Sequence, residues 1–381
     1  MKIDLALHDQ QFTLFRFPKR ANETLQAWDA GDEYIINHLA ENPLAKGASV
    51  LILNDNFGAL SCWFSKEYNV YCQSDSFISQ QGIQHNLELN HCNKITFLRS
   101  IDTLPNNIDL VIMQLPKSNR FLTWQLHQLN SHLNADTPVI GVNKANAIHT
   151  STLKLFEKHL GQTSTSLAWK KHRLVFSQTT GTNQATYNEK SINEKMTWAV
   201  PEHDIQLSNL ANVYSGESLD LGARFILDHL PQGSRFNNII DLGCGNGVLS
   251  VKLGRNNPQS QITSVDESFM AVESARINVL ANVENPQRYT FVANNCLDGF
   301  AQNRYDLVVC NPPFHQQNTI TDHIAWQMFN DAYKVLEAGG KLLVIGNSHL
   351  GYQAKLARLF GISKVKLVAS NKKFVIISAE K

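Results

Sequence analysis

Clustered metal ligands are missing from this chain of 381 residues. Its six cysteines, Cys62, Cys72, Cys92, Cys244, Cys296 and Cys310, form no Cys-x-x-Cys pair and accompany no group of histidines. That spacing argues against a zinc site or a disulfide framework and fits reduced thiols. An excess of one charge sign is missing too. Lys and Arg number 34 against 33 Asp and Glu, a formal net charge of +1, so any contact with nucleic acid must rest on a local basic patch. No apolar run approaches the length that spans a bilayer. The start, Met1-Lys-Ile-Asp-Leu-Ala-Leu-His-Asp9, puts charges where a signal peptide needs its apolar segment. The expectation is a soluble cytoplasmic protein with no metal and no membrane partner, long enough for two domains.

What is present is a pattern that occurs twice. On each side of a polar stretch at 177–196, short β-rich apolar runs alternate with helical segments, the mark of a parallel sheet covered by helices. The domain organisation read from this is 1–180, a linker at 181–198, and 199–381. Val50-Leu-Ile-Leu-Asn-Asp-Asn-Phe-Gly58-Ala-Leu-Ser61 aligns with Ile239-Ile-Asp-Leu-Gly-Cys-Gly-Asn-Gly247-Val-Leu-Ser250. Asp75 is matched to Asp266, and Asp109-Leu-Val-Ile-Met-Gln-Leu-Pro116 to Asp306-Leu-Val-Val-Cys-Asn-Pro-Pro313. An internal duplication explains these matches more economically than chance does. The first half has Asn54, Asn56 and Phe57 in place of two glycines and Asn246, and Gln114-Leu-Pro-Lys117 in place of Asn-Pro-Pro-Phe. It is expected to keep the fold and to have lost the chemistry.

The second half should contain strands near 239–242, 261–265, 289–293, 306–310, 341–345, 365–368 and 374–378, the last two joined by a short turn and therefore antiparallel. Seven strands with a terminal antiparallel hairpin are the pattern of Rossmann-like methyltransferases. Asp241-Leu-Gly243-Cys-Gly245-Asn-Gly247 follows the first of these strands and opens a helix, so its backbone can come close to a ligand. The G-x-G-x-G spacing after an acid favours S-adenosylmethionine over a dinucleotide. Asp266 ends the second strand, where a carboxylate can accept ribose hydroxyls. Asn295 follows the third strand as a candidate contact for adenine, with Asn294 as the alternative.

Asn311-Pro312-Pro313-Phe314 ends the buried run Asp306–Cys310 in a rigid turn. Two prolines fix φ and carry no N–H, leaving the Asn311 side chain and the Pro312 carbonyl as acceptors beside the flat face of Phe314. That set suits a planar heteroaromatic amine. All these positions fall at carboxyl ends of parallel strands and should converge on one crevice.

The ordered set resembles class I methyltransferases acting on exocyclic amines, a group that includes adenine-N6, protein-glutamine and guanine-N2 enzymes. Asn-Pro-Pro-Phe-His315 together with a degenerate first copy resembles the guanine-N2 enzymes of ribosomal RNA. Leu25-Gln-Ala-Trp28-Asp-Ala-Gly-Asp32-Glu-Tyr34, the Val50–Cys62 segment, His149–Lys158 and Leu167-Ala-Trp-Lys-Lys171 resemble the bacterial large-subunit ribosomal RNA guanine-N2 methyltransferase G family over the length of the chain. The resemblance implies two tandem α/β domains of the class I methyltransferase type, the first degenerate. It also implies S-adenosylmethionine as donor and methylation of one guanine in 23S rRNA.

On this reading Asn311, Pro312 and Phe314 are catalytic, and Asp241, Gly243, Gly245, Gly247, Asp266, Asn295 and Asn311 hold the donor. Lys117, Arg120, Lys170, Lys171, Arg173 and His315 are candidate RNA contacts, and the segment Tyr214–Gly222 is a candidate cover for the donor pocket. The rival readings are an adenine-N6 or protein-glutamine methyltransferase using the same turn, and a catalytically silent RNA-binding or assembly protein. The sequence leaves the oligomeric state open, with a monomer as one reading.

Overall fold

The computed structural model describes residues 2–20, 22–181, 196–233, 235–313 and 319–381, with the side chains of 319–322 excepted. The chain divides into two compact units, Met1–Glu194 and Lys195–Lys381.

In the first unit β1 (Asp4–Leu7) and β2 (Gln10–Thr13) form an antiparallel hairpin. The main sheet contains β3 (Ser49–Leu53), β4 (Asn69–Ser74), β5 (Thr96–Arg99), β6 (Leu110–Gln114), β7 (Pro138–Lys144), β8 (Ser164–Thr165) and β9 (His172–Gln178). Their order is β5-β4-β3-β6-β7-β9-β8. β3 to β7 run parallel, whereas β9 pairs antiparallel with β7 and with β8.

The second unit repeats this plan. Its hairpin is β10 (Met196–Val200) with β11 (Ile205–Asn209), so the expected linker is shorter than 181–198: alternating Met196-Thr-Trp-Ala-Val200 already pairs as a strand. Residues 182–195 lie outside the described residues. The sheet has β12 (Asn238–Leu242), β13 (Gln261–Asp266), β14 (Tyr289–Ala293), β15 (Tyr305–Cys310), β16 (Leu336–Asn347), β17 (Val365–Ser370) and β18 (Phe374–Glu380). Their order, β14-β13-β12-β15-β16-β18-β17, copies that of the first sheet. Each expected strand is found, and the terminal hairpin is antiparallel. β16 starts earlier than expected because the helix Thr319–Val335 runs into it without a loop.

The central strands are apolar on both faces. Leu307, Val308, Val309 and Cys310 of β15 are fully buried, as a parallel strand with helices on both sides requires. Two helices of the second unit are capped by side chains: Ser268 caps Phe269–Asn282 by accepting from Ala271 N at 3.1 Å, and Asp220 caps Leu221–Leu227 through Ala223 N. Such a cap contributes about 1 kcal/mol.

The strand registers correct one alignment. Leu53 lies beside Gln73 as Leu242 lies beside Val265, so the residue equivalent to Asp266 is Ser74, and Asp75 is equivalent to Glu267. Matching by acidity rather than by strand end displaced the pairing by one residue.

A second repeat lies in buried polar side chains. Asn86 donates to the Phe57 carbonyl at 2.7 Å and exchanges two hydrogen bonds with the backbone of Phe15. Its counterpart Asn278 donates to the Asn246 carbonyl at 2.8 Å and accepts from Ser208 N at 2.6 Å. One turn further along, Asn90 and Asn282 clamp the backbones of Thr13 and Gln206 in the same way. In each unit these asparagines fasten the leading hairpin to the turn after the first parallel strand.

Candidate active site

After Leu242 the second unit turns through Gly243–Gly247 into the helix Val248–Asn256. The N–H groups of Gly243 and Cys244 both donate to the Val265 carbonyl, at 2.8 and 2.9 Å, and Gly245 N donates to Asp266 Oδ2 at 2.9 Å. The turn is thus laced to the end of β13. Two of its glycines serve different purposes. At Gly247 (φ +78°) a β-carbon would stand 2.7 Å from Ala275 Cα, so close helix packing demands glycine. At Gly245 (φ +53°) a β-carbon would meet nothing within 4 Å. Its bare backbone faces open space, as a surface that a ligand must approach closely does.

Asp266, half-buried at the end of β13, uses Oδ2 for Gly245 N and Oδ1 for Ser268 N at 3.1 Å. Burial raises its pKa despite these donors, and each oxygen keeps a lone pair for another donor. Asp241 is placed deeper than expected. It is fully buried, with Oδ2 accepting from Ser250 Oγ at 2.6 Å and Oδ1 without a partner among the described residues. Burial pushes its pKa up to about 7, the Ser250 hydroxyl opposes this, and the Asp266 charge adds to it.

Asn295 is buried, and its Oδ1 accepts from Gln327 Nε2 at 3.0 Å, leaving its own amide N–H groups to donate. Asn294 instead braces its own loop by donating to the Cys296 and Asp298 carbonyls. Gln327 was not visible as a site residue. It is one polar position in the helix Thr319–Val335, and no local signal marks it.

The corner after β15 lies beside the glycine turn. Cys310 pairs with Leu242 across the parallel ladder, and the Asn311 carbonyl oxygen is 3.7 Å from where a Gly243 β-carbon would stand, with Met328 Cε 3.3 Å from the same point. Asn311 Oδ1 is buried and has no hydrogen-bond partner among the described residues. Pro312 is buried and, like Pro313, brings no N–H to satisfy it. Phe314 and His315 lie outside the described residues.

An open glycine face, a strand-end carboxylate and an orphaned amide oxygen on one rim fit S-adenosylmethionine and an amine acceptor. The RLMG N-terminal domain family matches residues 2–181, and the Methyltransferase small domain family matches residues 204–378. Ribosomal RNA large subunit methyltransferase G of Vibrio campbellii is 61% identical over 381 residues, covering 100% of this chain and 98% of its own length. The protein of the same name from Aliivibrio fischeri (strain MJ11) is 58% identical over 382 residues, covering 100% and 99%. This chain belongs to the ribosomal RNA large subunit methyltransferase G family. Its two-unit fold also matches a solved T. thermophilus 16S rRNA N2 G1207 methyltransferase (RsmC) in complex with AdoMet and guanosine, with a TM-score of 0.77, 18% identity, and coverage of 99% of this chain and 97% of that one.

Within this methyltransferase G fold the first unit has its crevice filled. Asn54 donates to the Gln114 carbonyl and exchanges hydrogen bonds with Gln125; Asn56 Nδ2 donates to Gln114 Oε1; and Gln114 Nε2 donates to Asp32, whose carboxyl burial raises well above its usual range. The buried serine-bound acid has also moved: Ser61 donates to Asp55 in the turn, whereas Ser250 donates to Asp241 in the strand. With Ser74 in the place of Asp266 and Gln114 in the place of Asn311, neither end of the ligand set survives.

The candidate RNA contacts are scattered over this unit. Lys117 is exposed and Arg120 half-buried. Lys170 pairs with Glu33 at 2.7 Å and sits over the Trp169 ring, Lys171 is exposed beside it, and Arg173 lies in β9 with Nε buried. In the second unit the segment at 214–222 is anchored by Trp198 and Asn209, both donating to the Gly216 carbonyl, with the Tyr214 side chain exposed. Among the described residues no group of His, Cys, Asp and Glu is placed to hold a metal ion, and no helix is long and apolar enough to cross a membrane.

Proposed function

We propose that this chain transfers a methyl group from S-adenosylmethionine to the exocyclic N2 of one guanine in 23S rRNA, giving N2-methylguanosine. The observation that carries the assignment of the acceptor corner is the buried, unpartnered Asn311 Oδ1 against the glycine turn. Leaving such an acceptor empty costs about 1–3 kcal/mol, which a substrate amine recovers on binding.

S-adenosylmethionine supplies the methyl group on a positively charged sulfur. Gly243 and Gly245 give it backbone access, Gly247 holds the turn against the helix Phe269–Asn282, Asp266 takes its ribose hydroxyls, and Asn295, oriented by Gln327, donates to its adenine. Asp241 sits behind the turn and positions it through Ser250. Guanine N2 is a weak nucleophile because its lone pair is delocalised into the ring. Asn311 Oδ1 and the Pro312 carbonyl accept its two hydrogens, turn the lone pair toward the methyl group and stabilise the positive charge that grows on nitrogen. Phe314 stacks on the base. The methylated nitrogen is then acidic enough to release its proton to water, so no strong base is needed.

The guanine must be unpaired or flipped out, at about a few kcal/mol of unstacking. Lys117, Arg120, Lys170, Lys171 and Arg173 of the first unit, with His315 of the second, offset this by holding RNA. The test is Asn311→Ala, with donor binding followed by calorimetry and methyl transfer to 23S rRNA by radiolabel. Retained binding with transfer reduced at least about a hundredfold is expected; unimpaired transfer refutes the role of Asn311.

A further inference from the structure

A turn with two central lysines leads into the last strand of each unit's sheet in chain order. In the first unit Trp169-Lys170-Lys171-His172 reverses the chain into β9, with Trp169 N donating to the His172 carbonyl at 2.8 Å. In the second unit Asn371-Lys372-Lys373-Phe374 does the same into β18, with Asn371 N donating to the Phe374 carbonyl at 2.9 Å. The surroundings match as well. The Lys171 carbonyl accepts from Ala145 N at 2.8 Å, just past β7, and the Lys373 carbonyl accepts from Ser348 N at 3.0 Å, just past β16. His172 stands opposite Lys144, and Phe374 stands opposite Asn347.

In the first unit two consecutive lysines are a poor choice on local grounds: Lys170 and Lys171 both have positive φ, +44° and +65°, a conformation that favours Gly, Asn or Asp. The second turn is built differently, with Asn371 Oδ1 accepting from Lys373 N and Phe374 N, so the lysine pair is shared although the backbone that carries it is not. The glycine turn, the strand-end acid and the asparagine corner have all been replaced in the first unit, whereas the Lys-Lys pair has not. Its position explains why it should be kept. β16 runs parallel to β15, so Asn347 and the turn against it lie on the same rim of the sheet as Asn311. Two strand spacings and three residues of rise place Phe374 roughly 15 Å from the end of β15.

The second turn also belongs to the most one-sided stretch of charge in the sequence, in which Lys341 and Lys364 pair with Glu380 at the opposite end of β18 from the turn. Residues 338–379 hold seven cations, Lys341, Lys355, Arg358, Lys364, Lys366, Lys372 and Lys373, and no Asp or Glu, in a chain whose net charge is +1. Lys372 and Lys373 are exposed and have no carboxylate partner among the described residues.

We propose that the Lys-Lys turns are a duplicated phosphate contact: Lys372 and Lys373 grip the RNA backbone beside the target guanine, and Lys170 and Lys171 grip the same RNA through the first unit. This rests on the reading of the chain as an RNA methyltransferase. It adds Lys372 and Lys373 of the catalytic unit, which are not among the RNA contacts expected from the sequence.

The experiment measures binding of protein-free 23S rRNA to the full chain as a function of KCl, for the parent, Lys372→Ala/Lys373→Ala and Lys170→Ala/Lys171→Ala. Each lost phosphate contact lowers the slope of log K against log salt by roughly 0.7–1. Each double variant should therefore lose roughly 1.5–2 from the slope and bind about tenfold more weakly at moderate salt. Calorimetry with S-adenosylmethionine should be unchanged, and Lys372→Arg/Lys373→Arg should restore RNA binding. An unaltered slope and affinity in the Lys372/Lys373 variant overturns the proposal while leaving the enzymatic reading intact. A parent chain that neither binds nor methylates 23S rRNA overturns both.

Discussion

The carbonyl oxygen of Asn311 lies 3.7 Å from the point where a β-carbon on Gly243 would stand. The corner that carries the free amide oxygen and the turn that offers a bare backbone are therefore walls of one crevice. Asp266 at the end of β13 and Asn295 after β14 complete its rim.

The glycines of the turn separate ligand access from folding. Gly245→Ala places its methyl group in open space with φ +53°, so the variant should fold with a loss of about 1–2 kcal/mol. It should bind S-adenosylmethionine at least about tenfold more weakly, because the methyl group stands where the donor must approach. Gly247→Ala drives a methyl group against Ala275 Cα at 2.7 Å and should lower the melting temperature far more than Gly245→Ala does. Thermal unfolding and donor titration of the two variants check both halves.

Asp241 makes stability depend on pH in a defined direction. Its folded pKa is raised to about 7 by burial, above the value of about 3.9 for an exposed Asp. The folded state therefore holds more protons than the unfolded state between those values, and this group's contribution is complete below pH 4 and lost as pH rises through 7. Asp241→Asn removes the ionisation and can still accept from Ser250. Relative to the parent, the variant should be more stable at pH 8.5 than at pH 5.5, as read from denaturant midpoints. A difference that does not change with pH would contradict the placement of the charge.

One donor site per chain is expected. The first unit has Asn54, Asn56, Gln114 and Gln125 filling its crevice, and Ser74 in the place of Asp266. Calorimetric titration with S-adenosylmethionine should give a stoichiometry of one, and Asp266→Ala should abolish the signal. A second site of comparable affinity would contradict the filled crevice.

Much of this arrangement is legible in the sequence. The apolar runs of β12, β15 and β16 have both faces buried, and Gly, Pro and strand-end acids punctuate them in order. What escaped the sequence was held by contacts rather than by pattern. The hairpins β1–β2 and β10–β11 are too short for periodicity to announce them. Asn86 and Asn278 sit mid-helix, where a polar residue reads as solvent-facing; only the Asn-x-x-x-Asn spacing shared by the two halves marks them. Gln327 acts on Asn295 from another element, 32 residues along the chain. Asp75 resembles Asp266 in chemistry, but the strand registers set Ser74 at the position of Asp266.

The nucleoside that the protein makes tests the central claim most directly. Unmodified 23S rRNA incubated with the purified chain and S-adenosylmethionine, digested and analysed by mass spectrometry, should yield N2-methylguanosine at about one per molecule, and none with Asn311→Ala. Methyl groups on adenine N6, or no modified nucleoside at all from a donor-binding protein, would contradict the account.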